Sequence, residues 1–142
     1  MIDPACPFCA IATGASDAFV VSETAETIAF LDRRPVFDGH TLLIPRDHHV
    51  TLTDLPRDLV APLFTEAQRL ARAMQDGLGA DGAFVAMNHV VSQSVAHVHV
   101  HVVPRRFKDG LRGFFWPRTK YRDDAHADEV ASRLRVVLTP RS

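Results

Sequence analysis

No stretch of the chain approaches the roughly 18 consecutive apolar residues of a membrane-crossing helix, so no membrane partner is expected. An excess of charge is missing too. The formal net charge is −1, which argues against a protein that coats nucleic acid. Cysteine is scarce: Cys6 and Cys9 are the only two, and they stand too close together to staple distant parts of a fold. The opening residues Met1-Ile2-Asp3-Pro4 lack the basic and apolar regions of a secretory leader. A cytoplasmic location is therefore expected, and there a Cys-x-x-Cys pair more often serves redox or metal chemistry than cross-linking. Repeats and low-complexity segments are absent as well.

What is present suffices for one domain with a real core: 142 residues, 46% of them hydrophobic. Thr27–Leu31 reads as a strand that ends at Asp32-Arg33-Arg34-Pro35, and His40–Ile44 as its antiparallel partner, opened by Gly39 and closed by Pro45. Leu55 to Gly77 carries Leu59, Leu63, Phe64, Ala67, Leu70, Ala71 and Met74 at three- and four-residue steps, which predicts a long helix. Asp54 would be its N-cap, and Gly77 or Gly79 its stop. Ala83–Asn88 and Val95–Val103 are further strands, the last ended by Pro104, and Ala125–Leu138 is a C-terminal helix. Strands and helices segregate, so the expected class is α+β, an antiparallel sheet with helices packed on it. Charge is uneven: residues 105–122 carry +6, leaving −7 elsewhere. That segment is either a solvated loop or a site for a small polyanion.

His97-Val98-His99-Val100-His101-Val102-Val103 is the informative run. Chance gives about 0.02 such triplets in a chain of this composition. On a strand, residues two apart share a face. The imidazoles would form a row at about 6.5–7 Å spacing, with the valines turned to the core. Two chemistries fit: a metal held by two or three of the rings, or covalent catalysis by a neutral imidazole with its neighbours holding phosphate oxygens. Asn88, Ser92, Gln93 and Ser94 lie just before the row and offer neutral hydrogen-bonding groups suited to phosphate and leaving-group contacts. Cys6 and Cys9 have the spacing of half a zinc site, a redox pair, or free thiols.

The triad, together with Gln93-Ser94-Val95-Ala96, Cys6-Pro7-Phe8-Cys9, Phe30-Leu31-Asp32 and Gly39-His40-Thr41-Leu42-Leu43-Ile44-Pro45-Arg46-Asp47-His48, resembles the histidine-triad (HIT) family, in its bacterial Hint-like branch. The resemblance spans nearly the whole chain. It implies a HIT-like fold of about five antiparallel strands with a long central helix and a C-terminal helix. It also implies a single domain over residues 1–142: an N-terminal zinc segment, a triad strand at about 95–103 and a tail at about 105–142. The implied activity is cleavage at the α-phosphate of purine nucleotide conjugates, releasing a nucleoside monophosphate. His99 would be the nucleophile, His101 would steady phosphate oxygens, and Ser94 would assist the leaving group. Asn88 and Gln93 would bind phosphate, Asp32 the ribose hydroxyls, and Phe8, Ile11 and Phe30 the base.

By the same resemblance, and by likeness to galactose-1-phosphate uridylyltransferases, Cys6, Cys9, His48 and His97 would hold a structural Zn2+, with no organic cofactor. His49 is the alternative to His48. His40, His89 and His126 are read as structural or surface residues. Ser92 stands where many relatives have glycine. The resemblance further implies a homodimer that the C-terminal region helps to form, with no contact assigned to particular residues; Phe114, Phe115 and Trp116 in Leu111–Pro117 are read as packing locally under the loop. Two other functions remain open: a nucleotide-binding dimer acting as sensor or scaffold without turnover, and a metalloenzyme whose metal sits on the triad.

Overall fold

The computed structural model describes residues 1–112 and 118–138, so Phe114, Phe115 and Trp116 lie outside the described residues. The chain divides into two compact units, Met1–Asp109 and Gly110–Ser142.

The first unit opens with α1 (Pro7–Ala12), a short helix capped by the Cys6 side chain. Next come β1 (Val20–Glu23), β2 (Thr27–Leu31) and β3 (Thr41–Pro45), then a 3-10 turn at Leu52–Asp54 and α2 (Arg57–Leu78). β4 (Gly82–Ala86) and β5 (Val100–Arg105) complete the sheet. The five strands are antiparallel in the order β1-β2-β3-β5-β4. The α+β architecture expected from the sequence is therefore present.

α2 begins at Arg57 behind Pro56, not at an Asp54 cap. Asp54 instead closes a capping box with Thr51 around the 3-10 turn, and its carboxylate accepts from both the Thr51 amide and hydroxyl. The stop is Gly79, whose φ of +66° is the left-handed cap that glycine adopts without a Cβ clash. The apolar stripe of α2 (Leu63, Ala67, Leu70, Met74) packs on Ala29, Leu43, Val98, Val100 and Val102 from the sheet. Burial of each leucine, valine or methionine in this set contributes about 1.5–3 kcal/mol, and of each alanine about 0.8 kcal/mol. The opposite face carries a second cluster of Ile28, Phe30, Leu42 and Ile44 with Cys6, Phe8 and Cys9. Both faces are thus covered, which explains the unbroken burial of β3 and of β2 from Thr27 to Phe30.

Strand boundaries also differ from the sequence reading, and β4 ends at Ala86, which leaves Asn88 beyond it. The triad strand starts at Val100 rather than Val95, because Val95–His99 makes no ladder bonds. The Val98 amide instead donates to the His49 carbonyl at 2.8 Å, and the His97 amide to the Val95 carbonyl at 2.8 Å. Pro104 does not end the strand. The β3 pairing stops at Val102, so Pro104 sits where β4 alone flanks β5 and a missing N–H breaks no β3 bond. β1 had no counterpart in the pattern analysis; it is a four-residue edge strand without a buried face.

In the second unit, α3 (Asp124–Leu138) follows the pattern expected for the C-terminal helix. The Asp123 carboxylate accepts from the His126 amide at its start, and none of its residues is buried.

Candidate active site and metal centre

The triad rings are placed by backbone and neighbours rather than by a regular row. His99 and His101 stand 5.2 Å apart between ring centroids, closer than the pleat repeat. Hydrogen bonds assign the protons. His99 Nδ1 lies 2.7 Å from the His97 carbonyl, which can only accept, so Nδ1 donates and Nε2 keeps its lone pair. His99 is 3% exposed. Among the described residues the one fully enclosed side-chain nitrogen or oxygen without a partner is His49 Nε2, so the free Nε2 of His99 is not sealed away.

His40 was expected to be structural or superficial; it is buried and belongs to the site. Its Nδ1 accepts from the Val36 amide at 3.1 Å, so its Nε2 carries the proton in the neutral ring. That Nε2 lies 2.9 Å from His101 Nδ1 and 3.7 Å from an Asp32 carboxylate oxygen. His101 Nδ1 therefore accepts, and His101 Nε2 carries a proton. The signal was available, since His40 opens the β3 run, but nothing local in the sequence ties it to a histidine 61 residues away. Burial, with the His99 and His40 charges adding to it, pushes His101 down to about 4 against the partial opposition of Asp32. Burial lowers His40 as well. The site thus presents a lone pair on His99 and an N–H on the neutral His101, side by side.

Phe8 contacts His99 edge-on at 5.2 Å and Phe30 at 5.4 Å between centroids, with Ile11 packed on the same cluster. Asp32 accepts from the Arg34 amide with one oxygen. Ser94 is exposed and makes no hydrogen bond among the described residues. Asn88 and Gln93 are both engaged by backbone groups, Asn88 within its own loop and Gln93 both there and across to Val50. Asn88 Nδ2 donates to the Ser92 carbonyl, while Gln93 donates to the Val50 carbonyl and accepts from the Val90 amide. That loop holds Val90 at φ +67° and Ser92 at φ +62°, conformations that favour glycine.

Cys6, Cys9, His48 and His97 converge with their donor atoms within 4.8 Å of one another. His97 Nδ1 is 3.4 Å from Cys6 Sγ and 3.6 Å from Cys9 Sγ, and His48 Nδ1 is 3.4 Å from Cys9 Sγ. Tetrahedral zinc, with Zn–S near 2.3 Å and Zn–N near 2.0–2.1 Å, requires S···N edges of about 3.5 Å. The outer contacts agree. His97 Nε2 donates to the Pro45 carbonyl at 2.8 Å, which leaves the Nδ1 lone pair facing the sulfurs. Burial holds His97 down at about 4, against the Pro45 bond, so the ring is an unprotonated donor at neutral pH. His48 Nε2 lies 3.7 Å from Asp3, and the Cys9 and Asp3 amides point at Sγ atoms of the pair. The residues fit a closed structural site. Asp32, His40 and His101 also cluster, but there the Val36 amide leaves the proton on the facing nitrogen of His40. That trio is wired for a proton rather than a cation.

The HIT domain model matches residues 13–108. The chain belongs to the HIT family. An uncharacterised HIT-like protein of Mycobacterium tuberculosis is 42% identical over 108 residues, covering 75% of each chain. The adenosine 5′-monophosphoramidase of Saccharomyces cerevisiae is 36% identical over 118 residues, or 82% of this chain and 72% of the yeast protein. A Zn-bound histidine triad family protein from Mycobacterium smegmatis superposes with a TM-score of 0.73 at 38% identity, covering 94% of this chain and 97% of that one. Those neighbours establish the HIT fold for the sheet and helices described above.

Proposed function

We propose that this HIT protein is a nucleotide hydrolase or transferase. Its substrates would be purine nucleotide conjugates (phosphoramidates, adenylylated groups or dinucleoside polyphosphates), cleaved at the α-phosphate. The observation that carries the reading is the pairing of a free His99 Nε2 lone pair with the Nε2–H of His101. His99 Nε2 bonds to phosphorus as the bond from phosphorus to the leaving group breaks. The departing nitrogen or oxygen takes a proton from the Ser94 hydroxyl, which recovers one from solvent, while His101 donates to a phosphate oxygen. Water then adds to phosphorus, the N–P bond breaks, and a nucleoside monophosphate leaves. Dividing one displacement into two lowers each barrier, and a donor already aimed at the phosphate stabilises charge without reorganisation.

Asp32 accepts from the ribose hydroxyls, and Phe8, Ile11 and Phe30 back the base. Gln93 and Asn88 reach phosphate by exchanging their backbone partners for it. Cys6, Cys9, His48 and His97 hold Zn2+, which supplies a closed cross-link between α1, the end of β3 and the triad segment. The protein acts in the cytoplasm as a homodimer; in support, α3 buries no residue, and Leu134, Val136, Val137 and Leu138 are each more than half exposed. The yeast relative's name supports an adenosine phosphoramidate as the first substrate to try.

The test is AMP release from AMP phosphoramidate and from diadenosine polyphosphates, with intact mass after rapid quenching. A nucleotidyl adduct on His99, lost in His99→Ala, is expected. Release by the wild type no faster than by His99→Ala would reject the reading.

A further inference from the structure

The Cys/His cluster and the nucleophile meet in a single residue. His97 offers Nδ1 to the sulfurs, donates Nε2–H to Pro45, and accepts the Nδ1–H of His99 on its own backbone carbonyl. The last bond matters because a free histidine side chain favours its proton on Nε2. That form has no lone pair where phosphorus would be attacked, so His99 works only in the less favoured tautomer. The His97 carbonyl imposes it.

Nothing in the sheet holds that carbonyl. The β3 pairing with β5 reaches no further than Leu43 opposite Val100, and Val95–His99 lies outside the ladder. Two amide bonds, from His97 to Val95 and from Val98 to His49, fix the segment on its N–H side. The side-chain anchors on either side of that peptide are Val98, fully buried under α2, and the fully buried His97 ring, tethered at both nitrogens.

We propose that His97 is a positioning residue through which cation binding at Cys6, Cys9 and His48 sets the tautomer of His99. The cluster then governs turnover as well as folding. Closing it fixes the His97 ring and with it the carbonyl; opening it frees the Nδ1 tether and lets His99 relax toward its Nε2–H form. The proposal rests on His99 being the nucleophile, but its primary readout needs no substrate.

The experiment uses full-length protein labelled with 15N-histidine. Two-bond 1H–15N spectra report the tautomer of each ring in the Zn2+-loaded wild type, the chelator-treated wild type, His48→Ala and His48→Cys. His48→Cys keeps four donors as a Cys3His set. His48→Ala removes the donor that belongs to neither the Cys6–Ala12 segment nor the triad segment, so an unfolded chelated sample does not end the test. Loaded wild type and His48→Cys are expected to show His99 protonated on Nδ1. His48→Ala, and the chelated protein where circular dichroism shows it folded, are expected to gain the Nε2–H form. Their kcat for AMP release should fall about 10- to 100-fold, the range typical when a group that orients a working side chain is lost, with KM held within about twofold. An unchanged His99 tautomer in folded, cation-free protein overturns the proposal. So does loss of the Nδ1–H form in loaded His48→Cys. Absence of AMP release from loaded wild type would reject the enzymatic reading while the spectra still decide the coupling.

Discussion

Acidification offers a test of the hydrogen-bond wiring that requires no substrate. His101 is held at about 4 in the fold, against 6.5 for a free imidazole, chiefly because burial disfavours its charged form and the His99 and His40 charges add to that. The unfolded chain therefore takes up a proton on this residue first as the pH falls. Its contribution to stability is fully present above pH 6.5, declines below it, and is exhausted near pH 4. A difference of about 2.5 pH units, at about 1.36 kcal/mol per unit, makes roughly 3 kcal/mol. Urea unfolding of wild type and His101→Asn, at equal metal content across pH 8 to 4, isolates the effect, because contributions from the cysteines and His97 are common to both. Wild type should lose about 3 kcal/mol more than the variant over that range, whatever their relative stability at pH 8. Parallel curves would mean that His101 titrates normally. The relay from Val36 through His40 to His101 would then be misassigned.

Three further outcomes follow from local geometry. Ser92→Gly should stabilise the chain by about 1 kcal/mol in urea unfolding, because a left-handed φ costs an L-residue roughly that much and Ser92 sits at +62°. Leu63→Ala, on a fully buried α2 position between helix and sheet, should cost about 2–5 kcal/mol by the same assay. Chelation should lower Tm: at a free Zn2+ concentration one hundred times Kd, the loaded cluster adds about 2.7 kcal/mol. Cys9→Ser should abolish both the Tm shift and one equivalent of bound zinc by elemental analysis.

Elements whose signals were local could be read from the sequence. The three- and four-residue spacing of Leu63, Ala67, Leu70 and Met74 marked α2, and β2 coincided with Thr27–Leu31. Of the Cys/His cluster, spacing alone marked only Cys6 and Cys9; His48 and His97 entered through the family resemblance, with His49 as the alternative to His48, and it is the fold that brings Cys6, Cys9, His48 and His97 within 4.8 Å of one another. Features that depend on long-range partners were hidden. Val95–His99 alternates like a strand, yet its amides pair with His49 and Val95 instead of a ladder. β1 is four residues long and buries no face, so it leaves no periodic trace. Asn88 and Gln93 have side chains suited to phosphate, but sequence could not show that backbone groups occupy them, Ser92 for Asn88 and Val90 with the distant Val50 for Gln93.

His40 shows where composition-based reasoning stops and wiring begins. A buried histidine is costly unless its nitrogens are satisfied, and here the Val36 amide and His101 Nδ1 satisfy both. The Val36 bond then dictates every proton downstream: off Nδ1 of His40, onto its Nε2, and so onto Nε2 of His101. A carbonyl performs the opposite assignment on His99, putting the proton on Nδ1. Two adjacent imidazoles of the same intrinsic chemistry thereby acquire opposite hydrogen-bonding character at Nε2, one presenting a lone pair and one an N–H. The difference is written entirely in what each Nδ1 meets: a hydrogen-bond acceptor behind His99, a donor behind His101.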